Sequence, residues 1–267
     1  VENKPWPKPI VMYNYTYIVN YMNWSPTMYF ITASKINIDF TKLIPWTNVF
    51  IQGTIVTIVL SLVTVVLGSI FGLTAAMMKQ SRYKPLRLLA DLYTQLIRGT
   101  PMLVQLLIWL YALPQIGIKF PALPFLGNVY GSREFITAVI ALSINSGAYV
   151  CELLRGGLQS IDKGQMEAGL SLGLSRRQTM QKIIVPQAIK VILPGLGNEF
   201  ITMIKESAIV STVGIFDVTY SSNIIKASTY STFEPLIVVA MIYLFLTLIT
   251  TKLMGLMERK LKTDVDN

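Results

Sequence analysis

The stretch Ile161-Asp162-Lys163-Gly164-Gln165-Met166-Glu167-Ala168-Gly169-Leu170-Ser171-Leu172-Gly173-Leu174-Ser175-Arg176-Arg177-Gln178-Thr179-Met180, continuing to Pro186, lies between two strongly apolar regions and is no membrane span itself. It predicts two short helices. Asp162 stands where it can cap the first, with Gln165 three residues on to complete a capping box, and Gly173 supplies a left-handed stop. Ser175 with Gln178 starts the second helix. Met166 and Leu170, one turn apart, give the first helix a narrow apolar face, while Lys163, Glu167, Arg176 and Arg177 stay open to water or to a partner. Two readings fit this pattern: an ordinary amphipathic surface hairpin, or a surface that a soluble partner recognises.

Composition decides where such a hairpin sits. With 52% hydrophobic and 14% charged residues and a mean hydropathy of +0.53, the 267-residue chain is far less charged than a soluble domain, which carries about 25%. It belongs in a bilayer. The absence of His and the single Cys151 exclude a His or multi-Cys metal site and leave no disulfide within the chain. A net charge of +9 raises nucleic acid as a partner, but the basic residues cluster beside apolar spans, as membrane topology demands, and not along one polar face. No charged n-region, apolar h-region and cleavage site opens the sequence, so no signal peptide is expected in it.

Residues 1–45 are rich in Tyr, Asn, Trp and Pro, which suits an external or interfacial segment better than a further span. Trp46 to Met78 carries no charge and exceeds the roughly 20 residues a helix needs to cross hydrocarbon, which makes it the first span. Its Gly68 and Gly72 form a small-xxx-small face for close packing, or are ordinary membrane glycines. Lys79, Arg82, Lys84 and Arg87 mark the cytoplasmic side and so put the N-terminus outside. A second span follows from about Leu86 to Leu113, and Pro114 to Arg133 suits an external loop. Phe135 to Cys151 is the third span, and the basic loop Arg155 to Lys182 returns to the cytoplasm. Pro186 to Ile204, the fourth, is weakly hydrophobic and broken by Pro194, Gly195 and Gly197, so protein must shelter it. Ser207 to Phe216 fits a short or re-entrant piece, Pro235 to Thr251 is the fifth span, and Arg259, Lys260 and Lys262 put the C-terminus inside. The prediction is an all-α membrane protein with five transmembrane helices over 46–260, N-terminus outside, C-terminus inside, and a cytoplasmic tail at 261–267.

Glu167-Ala168-Gly169, then Gly173, then Ile183 and Pro186 resemble the cytoplasmic loop of ABC-importer membrane subunits, whose pattern is Glu-Ala-Ala, three residues, Gly, nine residues, Ile-x-Leu-Pro. Gly169 stands for the second Ala and Val185 for Leu. By this resemblance the loop 161–186 is a cytoplasmic coupling helix seated on an ATP-binding subunit, with Gly164, Glu167, Ala168, Gly169, Gly173 and Arg176 as coupling residues. The fold implied is that of a type I ABC importer permease.

Charges inside the spans carry the second argument. Arg98 lies about 20 Å along a helix from Lys84, near mid-membrane, where a lone cation costs at least about 2.5 kcal/mol. Glu199 lies at a similar depth on the fourth span, so the two either pair structurally or line a route for a polar solute. Arg98-Gly99-Thr100-Pro101 with Gln105, Asn145-Ser146, and Lys205-Glu206-Ser207-Ala208 add amide, hydroxyl and charged groups at that depth, as a zwitterion requires. Together with Gly156-Gly157-Leu158-Gln159-Ser160 and Gly197-Asn198-Glu199-Phe200, these clusters resemble the polar amino acid branch of that permease family over about residues 46–260. Members of the branch usually read Lys-Asp-Thr-Ser-Leu where this chain has Lys205-Glu206-Ser207-Ala208-Ile209. The resemblance makes Arg98, Thr100, Gln105, Asn145, Ser146, Glu199, Glu206 and Ser207 candidate substrate-binding residues, Glu206 for an ammonium and Arg98 for a carboxylate. Glu152, three residues before Arg155, reads as a local ion pair.

The leading expectation is therefore a bacterial plasma-membrane subunit that passes an amino acid inward by alternating access. The partners implied are two ATP-binding subunits, a second permease copy or homologue, an extracytoplasmic substrate-binding protein and membrane lipid. No Gly-x-x-x-x-Gly-Lys-Ser/Thr loop is present, so ATP and Mg are expected on the partner, with no cofactor in this chain. An ATP-independent carrier or channel for small polar solutes is the alternative, although no inverted repeat is visible. A membrane enzyme is disfavoured by the lack of His, of metal-ligand clusters and of a Gly-x-Ser-x-Gly setting.

Overall fold

The computed structural model describes residues 38–263, and every regular element among them is helical. Readings that fall on 1–37 and 264–267, including most of the external segment and the end of the tail, lie outside the described residues. A 3-10 turn over Phe40–Trp46 enters α1 (Thr47–Lys79), followed by α2 (Lys84–Arg98) and α3 (Met102–Leu107), which runs on through a π turn at Ile108–Ala112. After the short α4 (Gly127–Tyr130) come α5 (Arg133–Gln159), α6 (Lys163–Ser171), α7 (Arg176–Thr179) and a π turn at Met180–Ile184. Then α8 (Val185–Glu206), a 3-10 turn at Ser207–Val213, α9 (Val218–Thr229) and α10 (Phe233–Thr263) complete the fold.

Three described stretches are long and apolar enough to cross a membrane, Phe40–Lys79, Arg133–Gln159 and Phe233–Arg259, and a fourth arises if α2 and the α3 segment count as one broken span. That fourth case corrects the expectation of a continuous second span. The chain bends by 106° between Lys84–Arg98 and Met102–Ile116, because Gly99-Thr100-Pro101 ends one helix and Pro101 starts the next. The weakly hydrophobic fourth stretch forms a helix, α8, with Pro194 inside it and Ala188, Ile192, Gly197, Met203 and Ile204 buried.

Helix α1 packs chiefly against α5, and glycine sets the spacing. A Cβ at Gly68 would lie 2.9 Å from Cβ of Ser146, and one at Gly72 would lie 2.7 Å from Val150 and 2.8 Å from the carbonyl of Gly147. In return, a Cβ at Gly147 would meet Phe71 at 2.8 Å. The small-xxx-small face is therefore a true contact. Val56, Leu60, Leu106, Phe135, Ala138, Leu142 and Val210 form the main core, and Leu43, Phe50, Val218, Ile225 and Val239 a second one.

Besides the single turn of α4, one longer helix, α9, has no counterpart in the sequence expectations. Asp217 caps α9 by accepting from the amide of Tyr220 at 2.8 Å, and its other oxygen accepts from the Tyr243 hydroxyl at 3.1 Å. Thr57 on α1 accepts from the Val218 amide at 3.1 Å, so a fully buried carboxylate and its neighbour tie α1, α9 and α10 together.

Candidate functional site

Two places carry the candidate residues: the loop between α5 and α8, and a polar layer around α5. In the loop, Asp162 accepts from the Gly164 amide at 2.6 Å and caps α6. Its expected box does not close, because the side-chain oxygen Oε1 of Gln165 instead accepts from Nε2 of Gln187 at 3.1 Å, which holds α6 against α8. Gly173 adopts φ +81°, and the amides of Gly173 and Leu174 return to the carbonyls of Leu170 (3.0 Å) and Gly169 (3.1 Å). This is the Schellman pair of bonds, and it fixes where α6 stops.

Ser175 and Gln178 close a full capping box on α7. That second helix is not an isolated short one. Through the π turn at Met180–Ile184 it continues into α8, since no residue between Ser175 and Pro186 interrupts the backbone and a proline at the start of α8 is harmless there. Gly169 is buried where a Cβ would meet the side chain of the fully buried Thr179, so the glycine lets α6 lie flat on α7. Gly164, Glu167, Ala168 and Arg176 are exposed beside Leu170 (47% exposed) and Leu172 (80%). Two bare leucines on a rigid, doubly capped hairpin offer an apolar contact surface to a partner.

Neighbouring residues of α5 organise the polar layer by reaching in two directions. Asn145 donates its amide to Oε1 of Gln105 at 2.9 Å, and Ser146 donates its hydroxyl to Oε1 of Glu199 at 2.7 Å. Gln105 in turn donates to the Ile97 carbonyl at 2.7 Å and to the Thr100 hydroxyl at 2.8 Å. It thereby satisfies backbone groups freed at the bend between α2 and α3. Thr100 donates to the Leu96 carbonyl at 2.8 Å, and Ser207 folds back onto the Ile204 carbonyl at 2.8 Å and is buried.

Arg98 and Glu199 do not pair. The guanidinium lies 5.4 Å over the ring of Tyr149, one turn along α5 from Ser146, and sits at the C-terminus of α2, where the helix dipole favours a cation. Glu206 is exposed two turns beyond Glu199, which puts both carboxylates on one side of α8. So the structure brings Arg98, Asn145, Ser146 and Glu199 together around α5, with Gln105 and Thr100 bracing the bend beside Arg98. Ser207 faces its own turn.

At one end of the same helices, Lys79 bonds Glu152 at 2.6 Å and Asp91 at 3.1 Å, and Arg155 bonds the other Glu152 oxygen at 2.8 Å. Glu152 does form its local pair with Arg155. Its bridge to α1 and α2 was invisible in the sequence, because Lys79 and Asp91 are distant in the chain and converge only once α1 and α2 fold back on each other.

Residues 68–263 match the family described as binding-protein-dependent transport system inner membrane component. The chain is 40% identical over 228 residues to the arginine transport system permease protein ArtQ of Bacillus subtilis, covering 85% of this chain and 99% of that protein. It is 40% identical over 221 residues to a putative glutamine transport system permease protein, GlnP, of Rickettsia bellii, covering 82% of this chain and 96% of the relative. A crystal structure of an amino acid ABC transporter with histidines superposes with a TM-score of 0.77 at 46% identity, over 84% of this chain and all of that one.

Proposed function

The chain belongs to the family of binding-protein-dependent transport system inner membrane components, and on that premise we propose that it is the permease subunit of an ATP-driven importer that carries amino acids inward across a bacterial plasma membrane. The observation that carries the reading is the α6–α7 hairpin. It is rigid, it bares Leu170 and Leu172 beside Glu167, and its second helix is continuous with α8, the helix that holds Glu199 and Glu206. A push on the hairpin is thus transmitted along backbone to the carboxylates.

Five spans, with the N-terminus outside and the C-terminus inside, account for the basic residues at Lys79 to Arg87, Arg155 to Lys182 and beyond Lys252. Two ATP-binding subunits dock on the hairpins through Gly164, Glu167, Ala168, Gly169, Gly173 and Arg176, and supply ATP and Mg from their own sites. A second permease, identical or homologous, completes the wall of the path, and a binding protein outside delivers the solute. Arg98 takes the carboxylate of the amino acid. Glu199 and Glu206 take the ammonium, with Ser146 orienting Glu199. Gln105, Asn145, Thr100 and Ser207 hold the backbone that carries these groups.

Reconstituted complex in proteoliposomes tests the scheme. Gly173→Leu puts a side chain on a left-handed residue, and is expected to impair docking of the ATP-binding subunits and abolish ATP-driven uptake. Glu206→Gln is expected to weaken uptake while docking stays intact. Uptake that persists without ATP, or that is indifferent to changes at Glu167 and Gly173, rejects the coupling scheme.

A further inference from the structure

The π turn at Ile108–Ala112 lies far from the hairpin and from Glu199 in the chain, and the function above does not use it. Such turns are uncommon and recur at functional sites. Here the turn aims Trp109 and Tyr111 into a largely enclosed cavity of about 220 Å³, whose other walls include Lys119, Phe120, Arg133 and Glu134. This is below the roughly 300 Å³ at which drug-sized pockets begin, so it suits one small solute.

The charges in its lining are unspent. Lys119, Arg133 and Glu134 are exposed, and none joins an ion pair among the described residues. Arg133 and Glu134 are adjacent on α5 and both line this cavity without pairing with each other. Helix stability does not explain Arg133 either, since a cation in the first turn opposes the helix dipole. Trp109 and Phe120 stand with ring centroids 5.7 Å apart and planes tilted by 34°, an aromatic wall next to those charges. Glu134 also borders a second cavity of about 330 Å³ that reaches Gly214 and Phe216, where the chain turns after α8.

We propose that this cavity is a receiving site for one free amino acid at the outer mouth of the path, separate from the residues around Glu199. Lys119 and Arg133 hold the carboxylate by charge-assisted hydrogen bonds, Glu134 holds the ammonium, and the Trp109–Phe120 wall covers the side chain. The proposal rests on the reading of the chain as an amino acid permease, since it takes its ligand class from there as well as from the paired charges.

The test uses the permease assembled with its ATP-binding subunits in lipid nanodiscs, without nucleotide or binding protein. Tryptophan fluorescence is titrated with L-arginine and with L-glutamine. A saturable change is expected that disappears in Trp109→Phe, weakens roughly tenfold or more in K119Q/R133Q, as loss of charge-assisted bonds implies, and persists in Glu199→Gln. The N-acetylated, amide-capped amino acids, which lack the α-ammonium and α-carboxylate charges, are expected to give no change. No saturable signal in the unaltered complex, equal affinity in K119Q/R133Q, or loss of the signal in Glu199→Gln overturns the proposal. Failure of the deeper site reads differently: Glu199→Gln and Glu206→Gln would leave uptake unchanged while the Trp109 titration stands.

Discussion

Individual side chains in this protein are committed in pairs, and the pairs differ in what they do. Gln105 is the plainest brace: its amide covers the Ile97 carbonyl and the Thr100 hydroxyl, and its oxygen is taken by Asn145. Gln105→Leu is expected to lower stability by about 1–3 kcal/mol, read as thermal unfolding in detergent, because buried polar groups at the bend lose their partner. Lys79→Met leaves Glu152 and Asp91 without their shared cation, and is expected to lower the unfolding temperature of the complex, an effect that high salt reduces for the exposed Asp91 half. Arg98 and Glu199 were legible as charges at membrane depth, but not their partners. Which ring or hydroxyl such a charge meets depends on helix rotation, and Tyr149 and Ser146 lie on a different helix from either charge. Asp217 is illegible in the sequence for a related reason: it stands in a polar run, Asp217-Val218-Thr219-Tyr220-Ser221-Ser222, that resembles a loop until Thr57 and Tyr243 enclose it. An acidic N-cap followed by Val218 and Ile225 one face apart was the available signal.

At the scale of elements, what the sequence states locally survives and what depends on crossing helices does not. The stop at Gly173 and the box at Ser175–Gln178 need only neighbours in the chain, and both form. The box at Asp162 fails because Gln187, on another helix, competes for Gln165. The bend after Arg98 was written in Gly99-Thr100-Pro101, yet unbroken hydropathy on either side favoured a single span. The tightest element contact is α1 on α5, so Gly72→Leu, which drives a side chain into Val150 and the Gly147 carbonyl, is expected to destabilise the permease by roughly 1–3 kcal/mol or prevent its accumulation. Thermal melts and membrane yield measure it. An equivalent change at Gly255, whose Cβ position is open, is expected to be mild.

For the molecule as a whole, the exposed apolar residues of α1 and α10, among them Ile51, Ile55, Leu62, Val66, Met241, Leu244, Phe245 and Leu248, form the surface that hydrocarbon covers. Orientation is then a matter of which end carries the hairpin. In oriented vesicles, with Cys151 replaced by Ser, Ser171→Cys is expected to react with a membrane-impermeant maleimide only from the ATP side, and Asn128→Cys only from the opposite side. The same label on both from one side would reverse the topology. Because α7, the π turn and α8 follow one another without a gap, Arg176 and Glu199 are separated by about 35 Å of helical chain, with Pro194 inside it. Rocking that stretch by only ~5° about its base would displace the far carboxylate by roughly 3 Å, the span of one hydrogen bond, which is enough to break the contact proposed between Glu199 and an amino acid's ammonium. Leverage of this kind needs no melting of helices and no long-range rearrangement, only a firm grip at the short end.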